Sequence, residues 1–352
     1  MREKILIITL VMLLSCCGTE AADLLENTSH HAHGGNGTRL LFNPAFGEDI
    51  YHTHSAGAWM VNYRDLHTNQ KGLGAGSSSV AVEQVIPMNS PYGYMMTPTE
   101  MSMDMHMLMV MYGVNDRFTL MGMGTYQDNR MDMLMDMGMG MGQKVMSMRT
   151  SGIGDTELRG IYNVGGGIAA SLGLTIPTGD IDQEFETMGM KFRAPYDMQL
   201  GSGSFDLEPV LAYSALTDDG LWNWGGQVSY IWHTNENNNG YRLGDTFKAT
   251  SWVQRALGPV AGWLRLAFNH TGRIKGRDGE IEKLLDTTMG APTPDAVADN
   301  YGGRRLDGFV GVSYNQGPFS VGVEGGLPLY QYVNGLQLKN DWYINAGIQF
   351  TL

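Results

Sequence analysis

The chain has 352 residues, a net charge of −13, 17% charged residues and only two cysteines. The acidic balance argues against nucleic acid as a partner, and two cysteines cannot supply a disulfide framework. No run approaches the ~20 apolar residues of a membrane-spanning helix. A transmembrane β-barrel stays open, because alternating strands leave average hydropathy unremarkable.

In chain order, Arg2 and Lys4 precede an apolar stretch Ile5–Leu14 and then small residues, the pattern of a secretory signal peptide over 1–22. Leu13-Leu-Ser-Cys16 has lipobox character, which would lipidate Cys16; cleavage near Ala21-Ala22 would remove both cysteines. Residues 23–54 read as a periplasmic lead-in, partly disordered, carrying His30, His31, His33, His52 and His54. These imidazoles suit copper, zinc or nickel, or belong to an ordinary polar tail.

From Ser55 onward the sequence alternates with period two, and the expectation for 55–352 is one domain: an all-β, antiparallel outer-membrane β-barrel. Strands are expected at 55–66, 101–113, 117–129, 151–163, 167–178, 203–216, 222–234, 241–256, 259–271, 304–314, 318–330 and 340–352, about twelve in all. Tight joins rich in Gly, Pro, Asn and Asp follow every second strand, as at Val114-Asn-Asp, Leu257-Gly-Pro and Asn315-Gln-Gly-Pro. Most other joins are long. Short periplasmic turns and long outer loops are the asymmetry of bacterial barrels. Trp222, Trp224, Val228, Tyr230 and Trp232 share one face, and the final strand alternates through Trp342, Ile344, Ile348 and Phe350, a terminus of the kind read by the barrel insertion machinery.

The densest pattern is Met101, Met103, Met105, Met107, Met109, Met111, then Met121 and Met123. Leu108, Val110 and Leu120 occupy the opposite face, between Tyr112 and Phe118, so the methionines are expected to face the lumen, joined by Met60. If Gly113 pairs with Arg117, Met107, Met109, Met121 and Met123 form one thioether patch. Such a patch could hold Cu(I) or Ag(I), could be soft apolar lining, or could act as an oxidant sink. Residues 130–148, with the methionine-rich run Met131 to Gly142, are expected to leave the membrane as a loop, and Asp180, Asp182, Glu184 and Glu186 to form an acidic one.

The same parity turns Asp155, Glu157, Arg159, Lys248, Arg265, Arg305, Asp307 and Glu324 into the lumen. Mixed signs suit a braced, narrow interior better than a selectivity ring. No catalytic spacing is evident.

Two segments, Ser151-Gly-Ile-Gly-Asp-Thr-Glu-Leu-Arg159 and Leu172-Gly-Leu-Thr-Ile-Pro-Thr-Gly-Asp180, resemble the outer-membrane "MetA-pathway of phenol degradation" family. Pro98-Thr-Glu-Met101, Met105-His-Met107, Leu120-Met121, Gln199-Leu-Gly-Ser-Gly-Ser204 and Tyr241-Arg-Leu-Gly-Asp245 are similar to a methionine-rich branch of it. The resemblance implies a transporter-like channel for small hydrophobic or aromatic compounds and carries over no catalytic residues; the expectation is a monomeric, non-enzymatic barrel without resident cofactor. Its expected partners are outer-membrane lipid, lipopolysaccharide and those solutes. The alternatives are a copper- or silver-handling barrel, with the soft ion bound or carried, and an outer-membrane enzyme or structural barrel.

Overall fold

The structure is a computed structural model that describes residues 52–138, 141–187, 189–287 and 291–352. Residues 1–51, where a signal peptide and most of a lead-in are expected, including Cys16, His30, His31 and His33, lie outside the described residues.

The chain order is β1 (Trp59–Gly76), β2 (Ser78–Val80), β3 (Met96–Asn115), β4 (Phe118–Asp136), β5 (Gln143–Ile153), β6 (Thr156–Gly165), β7 (Ile168–Ile176), β8 (Glu184–Thr187) and β9 (Met190–Arg193). It continues with β10 (Asp206–Leu216), β11 (Trp222–His233), β12 (Tyr241–Arg242), β13 (Thr246–Leu257), β14 (Val260–Thr271), β15 (Lys275–Gly276), β16 (Gly303–Gln316) and β17 (Phe319–Thr351). Eleven of these form a closed antiparallel path from β1 to β17, with β2 and β5 appended.

β17 supplies two staves. Thr351 N donates to Pro318 O at 2.9 Å, and Gln331 and Asn340 exchange hydrogen bonds at 2.7 and 2.9 Å, so the run folds back on itself. Ten single staves plus this doubled one make the twelve expected. Trp59 and Leu352 close the barrel with reciprocal backbone bonds of 3.0 and 2.7 Å. Closure matters because hydrocarbon offers no partner to an unpaired amide.

The short turns are built as the residues dictate. Asn115 accepts from Arg117 N at 2.9 Å. Gly258 and Gly317, each followed by proline, have φ of 63° and 57°, a region that favours glycine.

Side chains alternate as the parity requires. Trp59, Val61 and Tyr63 are exposed, whereas Met60, Asn62 and Arg64 are buried. Leu158, Leu172, Leu211, Leu264 and Val310 continue an apolar outer band. Above it the outer face of the β1–β3–β4–β5 sheet becomes charged, with Lys71 2.9 Å from Glu100 and Arg149 paired to Asp128. This sheet outgrows the bilayer: β3 has 20 residues against the ~9–11 that a tilted membrane strand needs.

Three expectations about segments are corrected here. Residues 67–76 and 96–100, expected in a loop, extend β1 and β3. Met131 to Asp136 is strand, because β5 pairs with it in register, Met131 opposite Met148 and Met133 opposite Met146. The strand expected at 241–256 is broken: β12 pairs with β15 in the outer loops, and the stave proper starts at Thr246.

Leu172 and Val145 are similarly exposed, at 54% and 63%, but only Leu172 lies in the lipid band. Leu172→Arg is expected to destabilise the folded barrel by about 2–4 kcal/mol, and Val145→Arg by within about 0.5 kcal/mol. Denaturant titration in lipid vesicles would distinguish them.

Candidate functional site: the capped lumen

On the inner wall β1, β3, β4 and β6 line up in rows. One reads Met60, Met111, Met121, Arg159, and the next reads Asn62, Met109, Met123, Glu157. Met60, Met109, Met111 and Met121 are buried together with Ile161, and Met123 packs against them. The opposed pairs are therefore Met109 with Met123 and Met111 with Met121, not Met107 with Met123 and Met109 with Met121. An irregularity between Gly113 and Asn115 moves the hairpin two residues from the expected register. Met107 instead sits between Arg64 and Thr125.

The outer methionines do something different. Met96, Met101, Met131, Met133, Met135 and Met148 form a core with Phe185, Tyr196, Met198, Tyr241, Ile281 and Ala296, and Met103 packs against it. Thus Met101 and Met103, expected to line the lumen, support a folded cap made by described residues of the loops between β7 and β10, β11 and β13, and β14 and β16. Polar bonds tie the cap to the wall. Thr150 Oγ1 donates to Met198 O at 2.7 Å, and Gln127 Nε2 to Leu200 O at 3.1 Å. Asp155, at the break between β5 and β6, accepts from Gly179 N and Ser202 N at 2.9 and 2.8 Å, so it holds the cap as well as bordering the lumen. In the acidic loop, Asp182 pairs with Arg193 at 2.8 Å.

The lumenal charges are paired. Arg159, 2% exposed, bonds Glu157 at 2.6 Å and Glu208 at 2.5 Å, and Lys248 lies 3.9 Å from Glu208. A Cβ at Gly173 would fall 2.6 Å from the Arg159 guanidinium, so glycine leaves the room this arginine needs. Arg265 meets Glu324 at 2.5 Å and lies 3.8 Å from the Phe309 ring centre, while Trp263 Nε1 donates to Glu324 at 2.7 Å. Arg305 pairs with Asp307 at 2.7 Å. Glu208 did not stand out in the sequence, although its parity with Asp206 and Val210 marks it as inward.

Beneath the cap lies a cavity of ≈ 470 Å³ bordered by Met105, Met123, Leu200, Ile231, Leu243 and Ile274, with Asp155, Glu157, Asp206 and His233 among its polar lining. Asp206 and His233 face each other at 2.8 Å. A second space of ≈ 230 Å³ lies toward β16 and β17. Asp197, Thr271, Tyr301 and Gly302 border both spaces. Tyr301 OH is 3.2 Å from Asp197 Oδ1 and 2.7 Å from Asp295 O, and Thr293 bonds the Asp295 carboxyl. Burial raises Asp197 to about 6; burial and then the Asp197 charge raise Asp295 to about 7. These loop acids carry no periodic signal that sequence reading could use.

The family resemblance can now be set against comparisons with known proteins. Residues 111–273 match the "MetA-pathway of phenol degradation" family. No curated protein matches the chain. Among solved structures, an outer membrane channel from Pseudomonas putida F1 shares 15% identity and a TM-score of 0.57, covering 86% of this chain and 98% of its own. The Pseudomonas putida toluene transporter TodX shares 10% identity and a TM-score of 0.43, covering 92% and 95%. The first likeness establishes the fold: a barrel of the outer-membrane channel type.

Arg159→Met strands Glu157 and Glu208 in a buried site and should cost about 3–5 kcal/mol; adding Glu157→Gln and Glu208→Gln should restore most of it, read by urea unfolding in bilayers.

Below the unfolded carboxylate value of ~4, Asp197 and Asp295 are protonated in either state. Between ~4 and 7 the unfolded carboxyls ionise while the buried ones stay protonated, so the cap loses stability across that window as pH rises. The near-ultraviolet circular dichroism of the Tyr196–Tyr241–Tyr301 cluster, whose rings meet at 4.9 and 5.4 Å, should weaken over the same window. In Asp295→Asn most of that change should vanish.

Proposed function

We propose that this barrel is a capped outer-membrane channel for small, uncharged, largely apolar compounds, with monoaromatic molecules as the best-fitting class. The observation that carries the reading is the ≈ 470 Å³ chamber under the cap, with thioether and aliphatic side chains on its walls. Apolar cavities of about 150 Å³ already hold benzene, and binding pockets commonly span about 300–1,000 Å³. The charges around the chamber have partners: Asp155 has two amides, Glu157 has Arg159, and Asp206 has His233. A solute therefore meets few unpaired charges. The family match over 111–273 and the fold shared with a bacterial outer-membrane channel support the same reading. It requires no catalytic step.

The test is uptake by proteoliposomes. Toluene should displace an apolar fluorescent probe from the protein and enter faster than in protein-free vesicles, while glucose should do neither. Leu243→Asp, which places a carboxylate on the chamber wall, should reduce probe binding on the order of tenfold, the scale expected for an unpaired buried charge. Glucose entering at the rate of the aromatic compound would contradict the proposal.

A further inference from the structure

The segment before β1 lies against the inner wall at the short-turn end of the barrel. His54 N donates to Thr119 Oγ1 at 2.8 Å, and Thr119 is an inward, fully buried residue of β4. Its cross-strand partner is Gly113 of β3. A Cβ on Gly113 would lie 2.8 Å from His54 O, so the His54 peptide occupies the inner face where that side chain would be. Gly113 and Thr119 are each two residues from the opposed pair Met111 and Met121. Two residues along a strand span about 6.6 Å. The histidine segment is therefore the next inward row below the buried methionines, within reach of flexible thioethers.

The imidazoles converge as well. The rings of His52 and His54 are edge-to-face with centres 5.0 Å apart. His52 is buried, and His54 Nε2 is enclosed without a hydrogen-bond partner. Two cations flank this row: Arg117, exposed in the turn two residues before Thr119, and Arg159, opposite Met121 and engaged by Glu157 and Glu208. The Asp116 carboxylate, in the turn between β3 and β4, is engaged beside the segment, accepting from Ala56 N at 3.1 Å. Thioether with imidazole is a donor set for soft metal.

We propose that His52 and His54, with the thioethers of Met111 and Met121, form a site for a soft monovalent cation, Cu(I) or Ag(I), at the periplasmic floor of the barrel. The site is separate from the chamber under the cap, and its test reads metal retention rather than permeation. It also differs from a patch of methionines alone, because two of its ligands come from the segment before β1.

The experiment uses the full chain in lipid with His30, His31 and His33 replaced by alanine, so that the lead-in cannot supply competing imidazoles. Cu(I) affinity is measured anaerobically by competition with a chromophoric chelator, and the copper X-ray absorption spectrum of the same protein is recorded. The expected result is one Cu(I) per chain with both nitrogen and sulfur in its shell. His52→Gln with His54→Gln, and separately Met111→Leu with Met121→Leu, should each weaken binding on the order of tenfold or more. Leucine for methionine conserves volume, so the second pair should keep the fold. Failure to retain Cu(I), an affinity unchanged by either pair, or a shell of sulfur alone would overturn the proposal.

Discussion

Hydrocarbon cannot satisfy a backbone amide, and that constraint shapes everything in this chain that crosses the membrane. It forces the sheet to close, down to the reciprocal bonds between Trp59 and Leu352. It also gives each residue parity a fixed meaning, lipid or lumen. Once Trp59 and Tyr63 face lipid, Met60, Asn62 and Arg64 must face inward. Charges on that face are then far from bulk water, and they persist because they are paired, as Arg159 is with Glu157 and Glu208.

The methionines extend this logic beyond the bilayer. β3 and β4 keep their inward thioethers after the outer face has turned charged, so the wall needs something to cover it there. Tyr196, Met198, Ile281 and Ala296 of the outer loops supply that cover. Methionine suits the task because an unbranched, polarisable side chain fills irregular gaps between a regular sheet and irregular loops. The same residue serves at three heights: in the cap core, on the chamber wall at Met105 and Met123, and near the floor at Met111 and Met121.

How much of this is legible in the sequence depends on whether the feature is periodic. Faces, tight turns and the number of staves follow from alternation and from Gly, Pro and Asn at the joins, and the inward parity of Arg159, Arg265 and Glu324 follows with them. Register does not, because the irregularity beside Gly113 leaves no mark in the alternation, and it moved the methionine pairing by two residues. Strand length is equally hidden: Met131 to Asp136 reads as low-complexity loop until β5 is seen to pair with it. The cap was missed because Asp197, Asp295 and Tyr301 come together from loops about a hundred residues apart, by packing that no local pattern encodes. Histidines at 52 and 54 were visible as metal-binding residue types, but their place under the methionine wall depends on the fold.

The central claim is that the outer loops are a folded lid on the methionine wall rather than open strands of chain. Hydrogen exchange by mass spectrometry, on the protein in bilayers, addresses it directly. Peptides covering residues 194–202 and 291–302 should exchange orders of magnitude more slowly than an unstructured chain, as expected of a cooperatively packed unit. Exchange of both peptides at the free rate, with β10 and β14 still protected, would contradict the account.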